Sequence, residues 1–179
     1  SLGKEGSGLT RILLEYGAIT NEIAKGLQSE EEYIIETPNT ALAVRGTFFR
    51  VEMKKDANGE IYTDIYTYGG TVKVQRVLPS GEMVVENVLI KSGYKTTVCM
   101  DGKDTIYVVE EGNENTEPIK IEDIPDGDLV DMYVAASNGH EMFLDVDEIW
   151  NEIDGRDIEV EDYTSNRDGA TVTPPEDND

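Results

Sequence analysis

Short runs of alternating apolar and polar residues fill the middle of this chain. Within residues 48–53, for example, Phe49, Val51 and Met53 fall on one side of an extended backbone and the intervening residues fall on the other. Alternation with a period of two is the pattern of a β-strand that buries one face. The pattern therefore predicts strands, and with them a sheet whose apolar side must be covered.

Turn residues separate these runs at four places. The four segments are Asp56-Ala57-Asn58-Gly59, Tyr68-Gly69-Gly70, Pro79-Ser80-Gly81 and Asp101-Gly102. We expect each to separate the strands of a hairpin, because glycine and asparagine supply the backbone angles that tight hairpin turns need. Hairpins so closely spaced predict an antiparallel β-sandwich or β-roll that extends to about residue 109.

The alternation of apolar and polar residues also predicts the core of this β-unit. The predicted core residues are Leu14, Ile35, Val44, Phe49, Val51, Ile65, Val72 and Val74. Each is aliphatic or aromatic and belongs to a predicted strand. We expect their side chains to be buried, because apolar side chains on one face of a sheet must be removed from water.

Two short helices are predicted after residue 110. Residues 126–136 and 145–153 both place apolar side chains at helical spacing. Asp145 and Glu148 form a capping-box pair at the start of the second helix. The predicted fold class is therefore mainly β, an antiparallel β-sandwich or β-roll with two short C-terminal helices.

The domain prediction has three parts. Residues 1–109 form the β domain, and residues 110–163 form an acidic segment whose two helices dock on it. In the second helix Val146, Ile149, Trp150 and Ile153 share one apolar face, which needs a cover. We expect Trp150 to be largely buried there. The alternatives are that Trp150 is exposed as an anchor for a partner protein, or that bound Ca²⁺ holds the acidic residues together. Residues 164–179 are acidic and poor in large apolar side chains, which predicts a flexible tail.

Negative charge is concentrated at the C-terminal end. The chain has 15 basic and 38 acidic residues, for a formal net charge of −23. Residues 1–109 carry 15 acidic and 12 basic residues, whereas residues 110–179 carry 23 and 3. This distribution argues against a nucleic-acid partner and against docking on anionic lipid, because both need clustered lysine and arginine. It permits a cationic partner, bound cations, or nothing more than solubility.

One segment carries a family resemblance. Residues 36–51 contain Thr37-Pro38, then small and apolar residues, then Val44-Arg45-Gly46-Thr47. This arrangement closely resembles the signature of the FecR family, and residues 13–19 and 62–74 resemble its flanking strands. The resemblance covers roughly residues 9–77. We expect the β domain to be N-terminally truncated, since the earlier part of the family domain has no counterpart here.

The resemblance implies a place and a role. FecR-like proteins commonly work outside the cytoplasmic membrane, anchored by a preceding transmembrane helix. Gram-negative members relay a signal from an outer-membrane receptor to a sigma factor, and Gram-positive members look like surface proteins. This chain is more similar to the second kind. The sigma-factor role is not carried over, because no residue matches the cytoplasmic segment that performs it.

Two sets of residues are candidate sites. The motif residues Thr37, Pro38, Val44, Arg45, Gly46 and Thr47 are interpreted as mainly structural, with Arg45 as the alternative partner contact. Tyr62, Tyr66 and Tyr68 share one face of a predicted strand. They form either a binding strip for a glycan or peptide, or ordinary cross-strand packing.

Catalytic and metal chemistry find little support in the sequence. His140 is the only histidine and Cys99 the only cysteine, so no triad or thiol–histidine pair is indicated. The alternating acids at residues 126–128 and 145–147 resemble calcium loops, but Asp131 and Trp150 stand where an EF-hand needs glycine. We predict no cofactor and no metal site.

The sequence thus predicts a non-catalytic, extracytoplasmic binding or regulatory module of a FecR-like protein. Its partner would be an unknown protein or envelope component, and it would meet the membrane only through an N-terminal anchor that precedes the sequence. Two alternatives stay open. One is a carboxylate-based hydrolase acting on cell-envelope glycan, since acids are abundant. The other is a purely structural surface spacer.

Overall fold

The computed structural model describes residues 9–22, 32–44, 46–77, 83–100, 106–107 and 116–164. The chain forms two compact units, Ser1–Pro118 and Ile119–Asp179. The first unit is built from strands and the second from short helices. The predicted fold class, mainly β with short C-terminal helices, is confirmed.

Eleven strands are described in the first unit. They are β1 (Leu9–Leu13), β2 (Gly17–Glu22), β3 (Glu32–Thr37), β4 (Thr40–Val44), β5 (Phe48–Lys55), β6 (Ile61–Gly69), β7 (Thr71–Val77), β8 (Met83–Lys91), β9 (Tyr94–Met100), β10 (Ile106–Tyr107) and β11 (Glu117–Pro118). They form two sheets. The first has the order β1-β3-β4-β7-β8, and the second has the order β10-β9-β6-β5-β2, with β11 also paired to β9.

Hairpins alternate with crossings between the sheets. Each of the pairs β3–β4, β5–β6, β7–β8 and β9–β10 lies within one sheet and is antiparallel. The predicted hairpin at residues 56–59 is confirmed, since it joins β5 to β6. The strands on either side of residues 79–81 and of residues 101–102 also pair, although these turn residues lie outside the described part of the chain.

Two expectations about strand pairing are wrong. Residues 68–70 do not separate the strands of a hairpin, because β6 and β7 belong to different sheets. The glycine pair is a corner that carries the chain from the second sheet to the first. In addition, β1 pairs with β3 in parallel, so the first sheet is not wholly antiparallel. The alternation of side chains reports strands, but it does not report which neighbour each strand takes.

The core lies between the two sheets. Seven of the eight predicted core residues are buried in one cluster, and Leu14 packs against it as a partly buried neighbour. Ile90 and Val98 join the same cluster from β8 and β9. The core prediction is therefore confirmed for the seven and holds in part for Leu14.

In the described part of the second unit, residues 119–164, three α-helices follow a short 3-10 turn at Ile121–Asp123. They are α1 (Asp126–Ser137), α2 (Val146–Gly155) and α3 (Val160–Thr164). The capping box at the start of α2 is confirmed, since the side chains of Asp145 and Glu148 exchange hydrogen bonds with each other's backbone. The five-residue α3 was not predicted, because so short a segment shows no clear period. No helix in the described residues is long and apolar enough to cross a membrane.

Helices α1 and α2 pack against each other through apolar and aromatic side chains. Ile149 and Ile153 of α2 are buried, as are Leu129 and Met132 of α1. The ring of Trp150 keeps some exposure and lies 5.0 Å from the ring of Tyr133, centroid to centroid. The apolar face of α2 that the sequence indicated is thus covered at least in part by α1.

Candidate functional site

The glycines of the FecR-like segment stand at corners where the chain changes sheets. Gly46 lies between β4 and β5, and Gly70 lies between β6 and β7; both have positive φ, 58° and 78°. The two corners touch, because a Cβ atom placed on Gly70 would come within 2.8 Å of the Gly46 carbonyl oxygen. The Thr47 hydroxyl donates to the Thr71 carbonyl across the same contact, at 3.3 Å. The motif therefore builds a junction of two crossings.

A third crossing joins this junction. Ser92 and Gly93 connect β8 to β9. The Ser92 amide donates to the Gly70 carbonyl at 3.0 Å, and the Gly93 amide donates to the Thr67 carbonyl at 2.8 Å. The Ser92 hydroxyl donates to the Tyr68 carbonyl at 3.1 Å. Three separate corners are thus held together by backbone groups and by the hydroxyls of Thr47 and Ser92, which fixes how the two sheets connect at this end of the sandwich.

The Thr-Pro part of the motif forms a second link between the sheets. Pro38 and Asn39 make the turn between β3 and β4, with Pro38 exposed and Asn39 fully buried. The side-chain amide oxygen of Asn39, Oδ1, accepts from the hydroxyls of Thr37, Thr40 and Thr63 at 3.0, 3.0 and 2.7 Å. An amide oxygen has two lone pairs, so these three hydroxyls share it. Thr63 belongs to the second sheet, whereas the other two belong to the first.

The amide nitrogen of Asn39 completes this link. This side-chain nitrogen, Nδ2, donates to the backbone carbonyls of Ile61 and Val98 at 3.4 and 3.3 Å. Both carbonyls belong to strands of the second sheet. The sequence analysis missed Asn39, because an asparagine in a turn is usually attributed to the backbone conformation that the turn needs. The signal that could have found it is the run of threonines around it, which supplies hydroxyl donors.

The described motif residues lie in and beside strands β3, β4 and β5. Thr37, Val44 and Thr47 are buried, and Gly46 holds a corner. Arg45 lies outside the described residues.

The three candidate tyrosines share one face of β6 but not one environment. Tyr62 and Tyr66 are partly exposed, whereas Tyr68 is fully buried beside Phe48, with ring centroids 5.7 Å apart. Residues Thr63 and Ile65 alternate with them and point into the core. Only Tyr62 and Tyr66 are therefore available to a ligand. We call the outward side of β5, β6 and β9 around these two rings the tyrosine face.

Charged side chains surround the two rings on the tyrosine face. Lys54 donates to Asp64 at 3.0 Å, and the Thr97 hydroxyl donates to the other oxygen of Asp64 at 2.6 Å. Glu52 lies directly opposite Asp64 in register and comes within 3.7 Å of Lys54. Arg50 lies 3.6 Å from Glu52. Each described cation on this face therefore has a carboxylate partner.

Tyr66 lies between two of these cations. In the register of the sheet it stands opposite Arg50 of β5 on one side and Lys95 of β9 on the other. The Lys95 ammonium lies 5.8 Å from the Tyr66 ring centroid, within the range of a cation–π contact. Lys95 also comes within 3.8 Å of Glu117. The ring is thus held in a polar row that crosses several strands.

The ionisation of this face follows from these contacts. Hydrogen bonding to Glu60 is the largest cause that raises the pKa of Tyr62, to about 12, helped by the nearby Asp56 carboxylate. Partial burial and the Asp64 charge raise the pKa of Tyr66. The hydrogen bond to Asp64 raises the pKa of Lys54. Both rings therefore keep their phenol protons, and Lys54 keeps its charge, throughout the neutral range.

The tyrosine face offers two partly exposed aromatic rings, phenol hydroxyls and paired charges on a sheet surface. Across the parts of the chain described, no three histidine, cysteine or acidic side chains stand close enough to hold a metal ion.

Comparisons with known proteins give limited similarity. No family model matches the chain, and no curated protein sequence matches it. Two crystal structures of a candidate anti-sigma factor from Parabacteroides distasonis match in part. One has 12% identity and a TM-score of 0.43 over 65% of this chain and 44% of its own length. The other has 14% identity and a TM-score of 0.40 over 60% of this chain and 41% of its own length. The chain spans less than half the length of these structures.

Proposed function

We propose that this chain is a non-catalytic binding and regulatory module of a FecR-like protein that works outside the cytoplasmic membrane. The observation that carries the proposal is the use of the FecR-like residues. Gly46, Thr47 and Gly70 meet at one junction, and Thr37 joins the Asn39 cluster that links the two sheets. The shared residues are those that this β-sandwich needs to hold its sheets together, which supports a common scaffold.

On this scaffold the tyrosine face is the proposed recognition surface. Tyr62 and Tyr66 are partly exposed, and their surroundings are polar, with Arg50 and Lys54 each beside a carboxylate. Tyrosine side chains with few rotatable bonds bind partners at low entropic cost. The partner we propose is a protein or an envelope component, and the full-length protein would reach the membrane through an anchor that precedes this sequence.

The hydrolase alternative has one favourable observation. Glu52 and Asp64 are directly opposed on neighbouring strands, with a tyrosine on either side along β6. However, donors from Lys54 and Thr97 occupy both oxygens of Asp64. Paired carboxylates that hydrolyse a glycoside need one group free to give a proton and one free to attack or to activate water. The contacts of Asp64 favour a surface ion pair, and we retain the binding module.

Location can be tested with a single thiol. In full-length protein carrying Cys99→Ser, Asn58→Cys places a thiol at the exposed tip of the β5–β6 hairpin. We expect a membrane-impermeant maleimide to label it in intact cells. The matched control is the same protein without Asn58→Cys, and the labelling that counts is the amount above this control. Labelling that requires cell lysis would contradict an extracytoplasmic location.

The binding surface can be tested by photocrosslinking in the same cells. A photoreactive amino acid at Tyr66 should give a discrete adduct with the partner. The control position is Lys73, exposed on the first sheet. Adducts from Lys73 and not from Tyr66 would show that the wrong face was chosen. Absence of adducts from either position would favour the structural spacer.

A further inference from the structure

The first sheet ends in a strand that carries an exposed leucine. β8 is the outermost strand of this sheet, and in the described residues it pairs only with β7. Leu89 of β8 is 55% exposed. An edge strand also presents unpaired backbone N–H and C=O groups, which can bind a further strand. This edge therefore offers hydrogen-bonding groups and an uncovered apolar side chain together.

Only one part of β8 is regular enough to accept a strand. Residues 87–91 follow β7 in unbroken register, with Asn87 opposite Gln75 and Lys91 opposite Thr71. The register shifts beyond Gln75, where Val77 stands opposite Met83. A shift of this kind bends the bulged strand and interrupts its pairing. The available edge is thus the five residues 87–91, with Leu89 at its centre.

We propose that this edge pairs with the same edge of a second copy of the chain, antiparallel and centred on Leu89. In this register Leu89 stands opposite its own counterpart. Lys91 stands opposite Asn87 of the second copy, and Val88 stands opposite Ile90. No like charges are directly opposed, and apolar positions meet apolar positions on both faces. A symmetric edge pair of this kind closes as a two-fold dimer.

The pairing would continue the core of each copy. Ile90 belongs to the buried cluster between the sheets, and Val88 packs against it from a partly buried position. A strand added at this edge would place an isoleucine and a valine beside them and would extend the apolar layer. On the outward face, each Leu89 would cover the other. Burial of apolar surface at the edge is thus the driving force.

The opposite edge of the sheet is less suited to the same pairing. β1 carries Arg11 at its centre, so symmetric pairing about that residue would oppose two arginines. Leu13 is 63% exposed, but it lies at the end of β1. Leu13 is therefore the matched control for Leu89: the same residue type, comparably exposed, on the other edge of the same sheet.

The dimer should be weak, and salt should strengthen it. A five-residue edge is small beside the roughly 1,200–2,000 Å² that stable interfaces bury. Each copy also carries a formal net charge of −23, and salt screens the repulsion between copies. The salt dependence distinguishes the proposed dimer from an association held by ion pairs, which salt would weaken.

Disulfide trapping tests the register in the full chain with Cys99→Ser as background. Leu89→Cys would bring two Cβ atoms to about 4.5–5.5 Å across the proposed pair, close to the spacing of a disulfide. We expect mild oxidation to form a covalent dimer roughly tenfold faster, or more, with Leu89→Cys than with Leu13→Cys, because pairing raises the effective concentration of the thiols. Equal rates would overturn the proposal.

Sedimentation equilibrium tests the association without a crosslink. The unmodified chain should show a dimer that grows with protein concentration and with salt. Leu89→Asp should weaken dimerisation by about tenfold or more, because it buries two like charges opposite each other, whereas Leu13→Asp should leave it unchanged. A monomer at every concentration, or a dimer unaffected by Leu89→Asp, would overturn the proposal. Circular dichroism tests whether each variant is folded. If Leu89→Asp does not fold, the disulfide-trapping result decides alone.

Discussion

Two threonines on the inner side of β6 have opposite hydrogen-bonding environments. Thr63 and Thr67 are both fully buried. Thr63 donates to Asn39, whereas the Thr67 hydroxyl is a buried oxygen for which no hydrogen-bond partner is found among the described residues. A buried polar group without a partner costs free energy, because it has lost its bonds to water. Thr67 is thus a site where the sequence departs from the most stable choice.

Replacing Thr67 with valine should stabilise the β-unit. Valine has nearly the same shape and removes the unpartnered hydroxyl, so we expect the free energy of unfolding to rise by about 1 kcal/mol. Thr63→Val is the matched control, and it should lower stability because it removes a donor from the Asn39 cluster. Urea unfolding of the two variants measures both changes. A loss of stability in Thr67→Val would show that its hydroxyl has a partner after all.

Tyr62 should lose its phenol proton at an unusually high pH. Its folded pKa of about 12 lies above the ordinary value of 10.0, so the folded state holds the phenol proton more tightly than the unfolded state does. The stabilisation from this proton is therefore complete below pH 10 and is lost as pH rises through about 12. Ultraviolet absorbance of tyrosinate, compared between the unmodified chain and Tyr62→Phe, isolates this group. The absorbance change that is lost in Tyr62→Phe should be centred near pH 12. If it is centred near pH 10 instead, the hydrogen bonds of Tyr62 to Glu60 and Asp56 are contradicted.

At the scale of elements, Gly70 and Gly59 share a similar backbone conformation but differ in how closely other atoms approach them. Both have positive φ, 78° and 81°. A Cβ atom on Gly59 would meet nothing within 4 Å, whereas one on Gly70 would lie 2.8 Å from the Gly46 carbonyl. Gly59 is in a hairpin turn, and Gly70 is in the junction of crossings. The difference in the free energy of unfolding between Gly70→Ala and Gly59→Ala therefore measures how much the close contact between the two corners contributes.

Gly70→Ala should cost more stability than Gly59→Ala. We expect about 1 kcal/mol from the positive φ alone at Gly59, and at least about 2 kcal/mol more at Gly70, where neighbouring backbone must move. Urea unfolding of the two variants gives the comparison. Equal losses would mean that the corners can separate at little cost, and the structural role proposed for the FecR-like segment would be weakened.

The same corners show where sequence reasoning succeeds and where it fails. Alternation located the strands and seven core residues, because burial on one face imposes a period of two on any sheet. It took residues 68–70 for a hairpin, because Gly-Gly permits a tight turn and a crossing between sheets equally well. The parallel partner of β1 and the role of Asn39 were missed, since both depend on residues distant in sequence. The tyrosine row was found, but its burial changes from partial at Tyr66 to complete at Tyr68 along a single strand.

In the second unit, Arg156 also contacts residues that are distant in the sequence. Its guanidinium donates to Glu152 at 2.8 Å and to Asp126 at 3.0 Å. It also donates to the carbonyls of Ile124 and Ile121, at 2.7 and 2.8 Å. Burial by itself lowers the pKa of Arg156, but the hydrogen bonds to Glu152 and Asp126 raise it overall. One cation thus ties the end of α2 to the start of α1, although in the sequence it is only one of few basic residues in an acidic region.

At the scale of the whole molecule, the charge of the chain is unevenly divided. Residues 110–179 carry 23 acidic and 3 basic residues, whereas the preceding residues are nearly balanced. On the tyrosine face of the first unit the described cations are paired with carboxylates. In α3 of the second unit, Glu161 and Asp162 are exposed. Folding of the helical unit therefore works against repulsion between like charges, to a degree that folding of the β-unit does not.

Salt should consequently stabilise the helical unit more than the β-unit. Raising sodium chloride from about 0.05 M to about 0.5 M shortens the range of repulsion between exposed carboxylates to a few ångströms. Trp150 is the only tryptophan and lies in α2, so its fluorescence reports the unfolding of this unit, and far-ultraviolet circular dichroism near the β-sheet minimum reports the strands. The urea midpoint from Trp150 should rise with salt, and the midpoint from the strands should rise less. Potassium chloride should give the same result as sodium chloride, because screening depends on ionic strength and not on a bound ion. A Trp150 midpoint that falls with salt would mean that the ion pairs of Arg156 contribute more to this unit than the repulsion among its acids.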